Sequence, residues 1–231
     1  MTEIIVKNAY KIYEIGGKRI YAVKNVSLRI KQGEFVAIFG PSGSGKTTLL
    51  MLLAAIIKPT HGEIFYDKLD ITKLSESEAA KWRYENIGFI PQKINLIEFL
   101  DVLDNVLAPT YPYVKNFEEV KKRALELIKR VGLSHRIKHK PAQLSVGEQQ
   151  RVAIARALIN NPKVVLADEP TAHLDTETGK RIVMLMKELR DEYNVTFIVS
   201  THDPEIAKIA DRIIEIRDGK ITREKILSTK S

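Results

Sequence analysis

Short apolar runs, closed by glycine, proline or asparagine, divide the chain into strands and helices. Ile4 to Val6, Val23 to Ile30 and Glu34 to Phe39 carry strand composition, and Gly16-Gly17 and Gln32-Gly33 mark turns between them. A helix is predicted from Gly45 to Ile57, stopped by Pro59, and another over residues 75 to 86. Pro109, Pro112 and the neighbouring tyrosines read as a surface loop. Asn116 is an N-cap for a helix from Phe117 to Val131, with Gly132 beyond its end. A further helix runs from Gly147 to Ile159 and closes at Asn160-Asn161-Pro162. An apolar strand (Lys163 to Ala167), a helix (Thr176 to Asp191), a strand (Val195 to Ser200) and a short helix (Glu205 to Ala210) follow, and a hairpin turns at Asp218-Gly219. Apolar strands alternating with helices predict a parallel sheet in the second half. The strand-rich start predicts a smaller antiparallel sheet packed against it.

Composition narrows the classes. The 231 residues are 44% hydrophobic, enough for a sizeable core and poor support for disorder. The absence of cysteine excludes disulfides, a thiol nucleophile and thiolate metal sites. Lys+Arg 37 against Asp+Glu 29 leaves +8, but the charges mix along helices, as in Glu118-Glu119-Val120-Lys121-Lys122-Arg123. That pattern fits a solvated surface, so no nucleic-acid partner is expected. Residues 1–5 have no basic segment followed by an apolar one, so no signal peptide is expected. The apolar run Leu49 to Ile57 falls well short of the roughly 20 residues a membrane helix needs.

Two motifs carry chemistry. Gly40-Pro41-Ser42-Gly43-Ser44-Gly45-Lys46-Thr47 fits G-x-x-x-x-G-K-[ST], with a strand entering and a helix leaving. Its backbone N–H groups and the helix N-terminus suit phosphate. Lys46 is placed to reach the β- and γ-phosphates, Thr47 to bind Mg²⁺, and Thr48 extends the nucleotide contacts. The loop alone does not separate kinase, GTPase and ATPase. Val164-Val165-Leu166-Ala167-Asp168-Glu169 is an apolar strand ending in two acids. Ligands bind beyond the carboxyl ends of such strands. Asp168 is then a Mg²⁺ ligand and Glu169 a general base, although such a pair also suits a helix start.

Between these motifs stands Leu144-Ser145-Val146-Gly147-Glu148-Gln149-Gln150-Arg151. It resembles the signature of the ATP-binding-cassette (ABC) family, usually Leu-Ser-Gly-Gly-Gln. Gln92 in Phe89-Ile90-Pro91-Gln92 resembles the Q-loop glutamine, His173-Leu174-Asp175 the D-loop, and His202 in Ser200-Thr201-His202-Asp203 the switch histidine. Tyr13 resembles the aromatic that stacks on adenine, with Tyr10 as a competitor. The resemblance runs from about residue 3 to 222.

It implies an α/β P-loop NTPase (RecA-like) fold: a parallel-sheet core, an N-terminal antiparallel β subdomain and an inserted helical subdomain. Residues 1–231 then form one domain, with 1–91 and 160–225 as core and 92–159 as the helical part. The implied activity is ATP hydrolysis with Mg²⁺. Glu169, His202, Lys46 and Gln92 are the catalytic set, and Thr47, Gln92 and Asp168 the metal set. Ser145, Val146, Gly147, Glu148 and Asp175 would face the γ-phosphate held by a second copy, in a head-to-tail dimer or a pairing with a similar cassette.

An integral-membrane permease partner is implied, met near Ile94, Leu96, Ile97, Phe99 and Leu100, which would place the chain in the cytoplasm on the inner face of the membrane. The stretch Glu14 to Tyr21 and residues 89–96 resemble the lipoprotein-releasing, macrolide-exporting and cell-division subgroup. The alternatives are a cassette ATPase that serves no permease and a P-loop kinase or GTPase. The chain departs from the family at Val146, where glycine is usual. A β-branched residue resists positive φ and close backbone approach. Val146→Gly is therefore expected to leave activity unchanged or raise it.

Overall fold

The computed structural model describes residues 3–227. The chain opens with β1 (Glu3–Ile15) and β2 (Lys18–Lys31), then β3 (Phe35–Phe39), α1 (Lys46–Leu53), β4 (His61–Tyr66), β5 (Leu69–Asp70), α2 (Glu76–Asn86) and β6 (Ile87–Ile90). Next come α3 (Val102–Leu107), α4 (Phe117–Arg130), α5 (Val146–Leu158), β7 (Val164–Asp168), α6 (Thr176–Tyr193), β8 (Thr196–Thr201), α7 (Pro204–Ala207), β9 (Arg212–Arg217) and β10 (Lys220–Ile226). Two sheets form: a four-stranded one ordered β2-β1-β4-β5, and a six-stranded one ordered β10-β9-β3-β8-β7-β6. The first is antiparallel throughout. In the second, β9 to β6 are parallel and only β10 runs against its neighbour.

Strand alternation builds two cores. Phe35, Ala37, Val165, Ala167, Phe197 and Val199 face the helical layer. Val36, Ile38, Val164, Leu166 and Ile198 face α1 and the antiparallel sheet. Both faces are covered, which is why β7 and β8 are buried along their whole length. Leu49, Leu50, Leu52 and Leu53 of α1 are all fully buried between the sheets. Burial of each such side chain contributes about 1.5–3 kcal/mol. Helix α4 is instead one-sided, burying Ala124, Leu127 and Ile128 at helical spacing.

The structure differs from the sequence expectation at several boundaries. Helix α1 stops at Leu53, and Ala55 turns left-handed at φ +51, which sends the chain back along β1 as β4. Strands β1 and β2 are far longer than the apolar runs within them, because register shifts at Val6/Ala9 and Ala9/Lys11 break the alternation. Strands β4, β5 and β6 and helix α3 had no distinct sequence signal. The short helix near residue 205 ends at Ala207, and Asn116 caps α4 with its side chain accepting the Glu119 N–H.

Candidate active site

Four adjacent parallel strands end at one edge of the six-stranded sheet. The phosphate loop follows β3, His202 follows β8, Glu169 follows β7 and Gln92 follows β6. Gly45 caps α1 at φ +102, and a Cβ there would lie 2.1 Å from the Ala22 carbonyl oxygen, so only glycine fits. The first-turn amides of α1 have no partner within the helix and carry the positive end of its dipole.

The Lys46 ammonium is buried. It donates to the carbonyls of Gly40 (2.9 Å) and Pro41 (3.0 Å) and lies 3.2 Å from Glu169 Oε1. The other oxygen, Oε2, is 3.2 Å from His202 Nδ1 and 3.4 Å from Gln92 Nε2. Glu169 adopts φ +44, an unfavourable backbone state for a residue with a Cβ. Ser200 supports it: the Glu169 N–H donates to Ser200 Oγ at 2.9 Å, and that hydroxyl donates to Asp168 Oδ1 at 2.6 Å. The second Asp168 oxygen accepts from Thr47 Oγ1 at 2.8 Å. A hydroxyl, a carboxylate and a nearby amide oxygen form a hard-oxygen donor set, which suits Mg²⁺ and not a soft metal. Ser42, Gly43, Thr47 and Thr48 line a cavity of about 440 Å³ with Gln92 and Glu169. The cavity's far side is Ile20, Tyr21 and Ala22 of β2 and the turn Asp218-Gly219.

Tyr13 pairs across the hairpin with Ile20, at the rim of that cavity, and is 36% exposed. Tyr10 is engaged edge-to-face with His61 at 6.2 Å, the Lys11 ammonium stands 5.3 Å from the Tyr13 ring centroid, and Tyr21 lines the cavity itself. The signature and D-loop residues do not line the cavity. Ser145 caps α5 in a reciprocal box with Glu148, and Asp175 caps α6 by accepting from the Thr178 N–H. The two helix starts adjoin, since a Cβ on Gly147 would lie 3.1 Å from Thr178 Cγ2. Hydrogen bonding holds both acids below the usual carboxylate range, from the Ser145 backbone for Glu148 and from Thr178 for Asp175. Val146 is the first residue of α5, outside the positive-φ region, and its side chain is 44% exposed. It lines a second cavity, of about 630 Å³, with His173 and residues Ile94 to Leu96. Phe99 stands nearby in sequence, 75% exposed.

Sequence reasoning assigned no role to Ser200, although it stands two residues before His202 and pairs with Asp168 across β7 and β8. The Asp218-Gly219 hairpin turn and the stretch Glu14 to Tyr21 were legible in the sequence, but nothing there placed Ile20, Tyr21 or that turn against the phosphate loop.

A phosphate loop after β3, a histidine after the neighbouring β8 and two acids at the end of β7 beyond it define a P-loop nucleotide hydrolase. The ABC transporter family matches residues 23–172, and the chain belongs to that family as an ATP-binding cassette with ATPase activity. The ABC transporter ATP-binding protein MJ0796 of Methanocaldococcus jannaschii is 49% identical over 97% of both chains. A solved structure of MJ0796, a dimeric post-hydrolysis state bound to ADP and Pi, superposes with a TM-score of 0.89 at 46% identity, covering 98% of this chain and 100% of that one. The lipoprotein-releasing system ATP-binding protein LolD of Idiomarina loihiensis is 44% identical over 94% of this chain and 96% of its own. The macrolide export ATP-binding/permease protein MacB of Rhodopirellula baltica is 43% identical over 93% of this chain, which spans 32% of MacB. Among the described residues no helix is long and apolar enough to cross a membrane.

Proposed function

We propose that this chain hydrolyses ATP within a head-to-tail pair of cassettes and so drives a separate membrane permease from the cytoplasmic face. The observation that carries the reading is the convergence on Glu169 of Lys46, His202 and Gln92 at the mouth of the phosphate loop. In that reading Lys46 and the loop amides hold the β- and γ-phosphates. Glu169 takes the proton of the attacking water, whose oxygen bonds to the γ-phosphorus as the bond to ADP breaks. His202 and Gln92 orient Glu169 and the water. Mg²⁺, held by Thr47, Asp168 and Gln92, would supply charge neutralisation on the phosphate oxygens.

Ser145, Val146, Gly147, Glu148 and Asp175 stand apart from this chain's own phosphate cavity, which supports their service to a partner's ATP. The dimeric MJ0796 structure supports pairing. The permease reading is supported by the LolD and MacB names, one an ATP-binding protein of a releasing system and one joined to a permease. The exposed Phe99, next in sequence to Glu98 of the second cavity's lining, supports docking there.

The test is the solution mass of Glu169→Gln with and without ATP. A shift from monomer to dimer with ATP is expected, because loss of the base traps the ATP-bound pair. ATP binding with no change in mass would overturn self-pairing by the isolated chain.

A further inference from the structure

The phosphate loop is backed by protein backbone. A Cβ on Gly40 would lie 2.2 Å from the Ile216 carbonyl oxygen of β9, and one on Gly45 lies against Ala22 of β2. The loop is thus wedged between the two sheets. The turn joining β9 to β10 closes the remaining side. The Gly219 N–H donates to the Ser44 carbonyl at 3.0 Å, and the Gly219 carbonyl accepts from the Lys24 N–H of β2 at 2.8 Å. Gly219 is buried although it sits in a hairpin turn. Its φ is +75, and a Cβ there would lie 2.9 Å from the Tyr21 oxygen and 3.0 Å from the Ala22 oxygen. Asp218 beside it, at φ +49, lines the phosphate cavity.

We infer that the Asp218-Gly219 turn is a positioning element for nucleotide binding, acting through the Ser44–Gly45 peptide. That peptide is trans and planar, so its C=O and N–H point in opposite directions. Fixing the Ser44 carbonyl on Gly219 fixes the Gly45 N–H away from the turn, toward the space the loop encloses. The Lys24 bond ties the same turn to β2, the strand that forms the cavity's far wall. Gly219 therefore sets the loop amides in place before phosphate arrives, and the inference rests on the loop being the nucleotide site. Backbone amides ordered beforehand bind an anion more tightly than amides that must be ordered on binding.

The test is Gly219→Ala in the full chain, with Gly33→Ala as its match. Gly33 has nearly the same φ, +76, at the opposite end of β3, and a Cβ there meets only Asn194 Oδ1 at an ordinary 3.5 Å. Both variants carry the same left-handed strain. ATP affinity, by displacement of a fluorescent nucleotide, and the melting temperature are read for each. Gly219→Ala is expected to weaken ATP about tenfold, the scale of one ordering hydrogen bond. Gly33→Ala is expected to keep affinity within about twofold while melting lower. Equal affinity losses in the two, or none in either, overturn the inference. Failure of the unmodified chain to bind ATP would instead overturn the nucleotide site itself. Should Gly219→Ala not fold, hydrogen exchange on the unmodified chain decides. The Gly219 amide should slow when MgATP is added, and an unchanged rate overturns the inference.

Discussion

Ser200→Ala isolates the support beneath Glu169. The Ser200 hydroxyl is fully buried and makes two bonds, donating to Asp168 and accepting from the Glu169 N–H. Its loss removes a hydrogen bond to a carboxylate, about 1.5–3 kcal/mol, and orphans a backbone N–H, about 1–3 kcal/mol. Some is regained, because alanine has no hydroxyl to desolvate, so a net loss of about 2–4 kcal/mol in folding stability is expected. Glu169 also relies on that bond to stay at φ +44, a state costing about 1–3 kcal/mol. Once released, its carboxylate shifts relative to the water it must deprotonate. A misplacement of about 1 Å costs on the order of a hundredfold, so kcat should fall between about tenfold and a hundredfold. ATP affinity should change little, since Lys46 and the loop amides are untouched. Urea unfolding reads the first quantity, phosphate release at saturating MgATP the second, and nucleotide titration the third. Ser200→Thr separates structure from chemistry: it keeps the hydroxyl, and its extra methyl in a packed site costs about 1–3 kcal/mol. It should lose stability yet retain most of kcat. Equal kcat in the alanine variant and the unmodified chain would refute the positioning of Glu169 by Ser200.

Val146→Gly should change stability by about 1 kcal/mol or less and leave phosphate release unchanged or higher, because Val146 sits in ordinary helical φ with its side chain half in solvent; a loss of activity would show that the valine is needed. Tyr13→Ala should raise KM for ATP by about fivefold to a hundredfold at nearly constant kcat, from about 1–3 kcal/mol of lost stacking, whereas Tyr10→Ala, already engaged with His61, should not. An equal effect of the two variants would refute the assignment of Tyr13 to the base. The Glu148 carboxyl is held below the usual range, first by the Ser145 backbone, so its contribution to stability is present above that range and is lost as pH falls through the lower, folded-state pKa. The unmodified chain should therefore be more stable than Glu148→Gln near pH 7 and lose that advantage as pH falls below the usual carboxylate range and through the depressed pKa. A difference that stays constant across this span, read by denaturant unfolding, would show that the charge contributes nothing.

The parts of the fold legible in the sequence are those whose signal is local. Asn116 and Gly132 bracket α4 through capping chemistry that depends on a few neighbouring residues. The apolar runs Val164 to Ala167 in β7 and Phe197 to Val199 in β8 report that both faces are covered. What escaped depends on distant chain. Strand β6 is four residues long and contains Gly88, a glycine required because a Cβ there would lie 2.3 Å from the Ala157 carbonyl oxygen of α5. The antiparallel partners Ile4 to Lys7 and Glu63 to Tyr66 declare each other only once paired. The phosphate loop was legible as a motif, but the backbone that wedges it was not, since Ala22, Ile216 and Gly219 carry their contacts on main-chain atoms that any residue possesses.

The gathering of Lys46, Gln92, Glu169 and His202 is the clearest case of long-range information. Motif spacing names each residue, yet only the strand order β3-β8-β7-β6 makes them neighbours. Gln92 is the member least fixed by its own strand, because β6 is the edge of the sheet and ends two residues earlier. The segment just beyond it is held from the helical layer. Arg156, on α5, donates one arm of its guanidinium to the Ile94 carbonyl and another to the Asn95 carbonyl, both at 2.8 Å. Burial lowers the pKa of this arginine, so its desolvated charge is compensated by those two carbonyl dipoles. A fork that grips two successive carbonyls fixes the direction of the chain as well as its position. The same helix begins at Ser145 and Val146, so the segment carrying the signature also holds the segment carrying Gln92. The fork from α5 thus holds the chain two and three residues beyond Gln92, whose amide contacts Glu169 Oε2, whereas Lys46 and His202 are placed by β3 and β8.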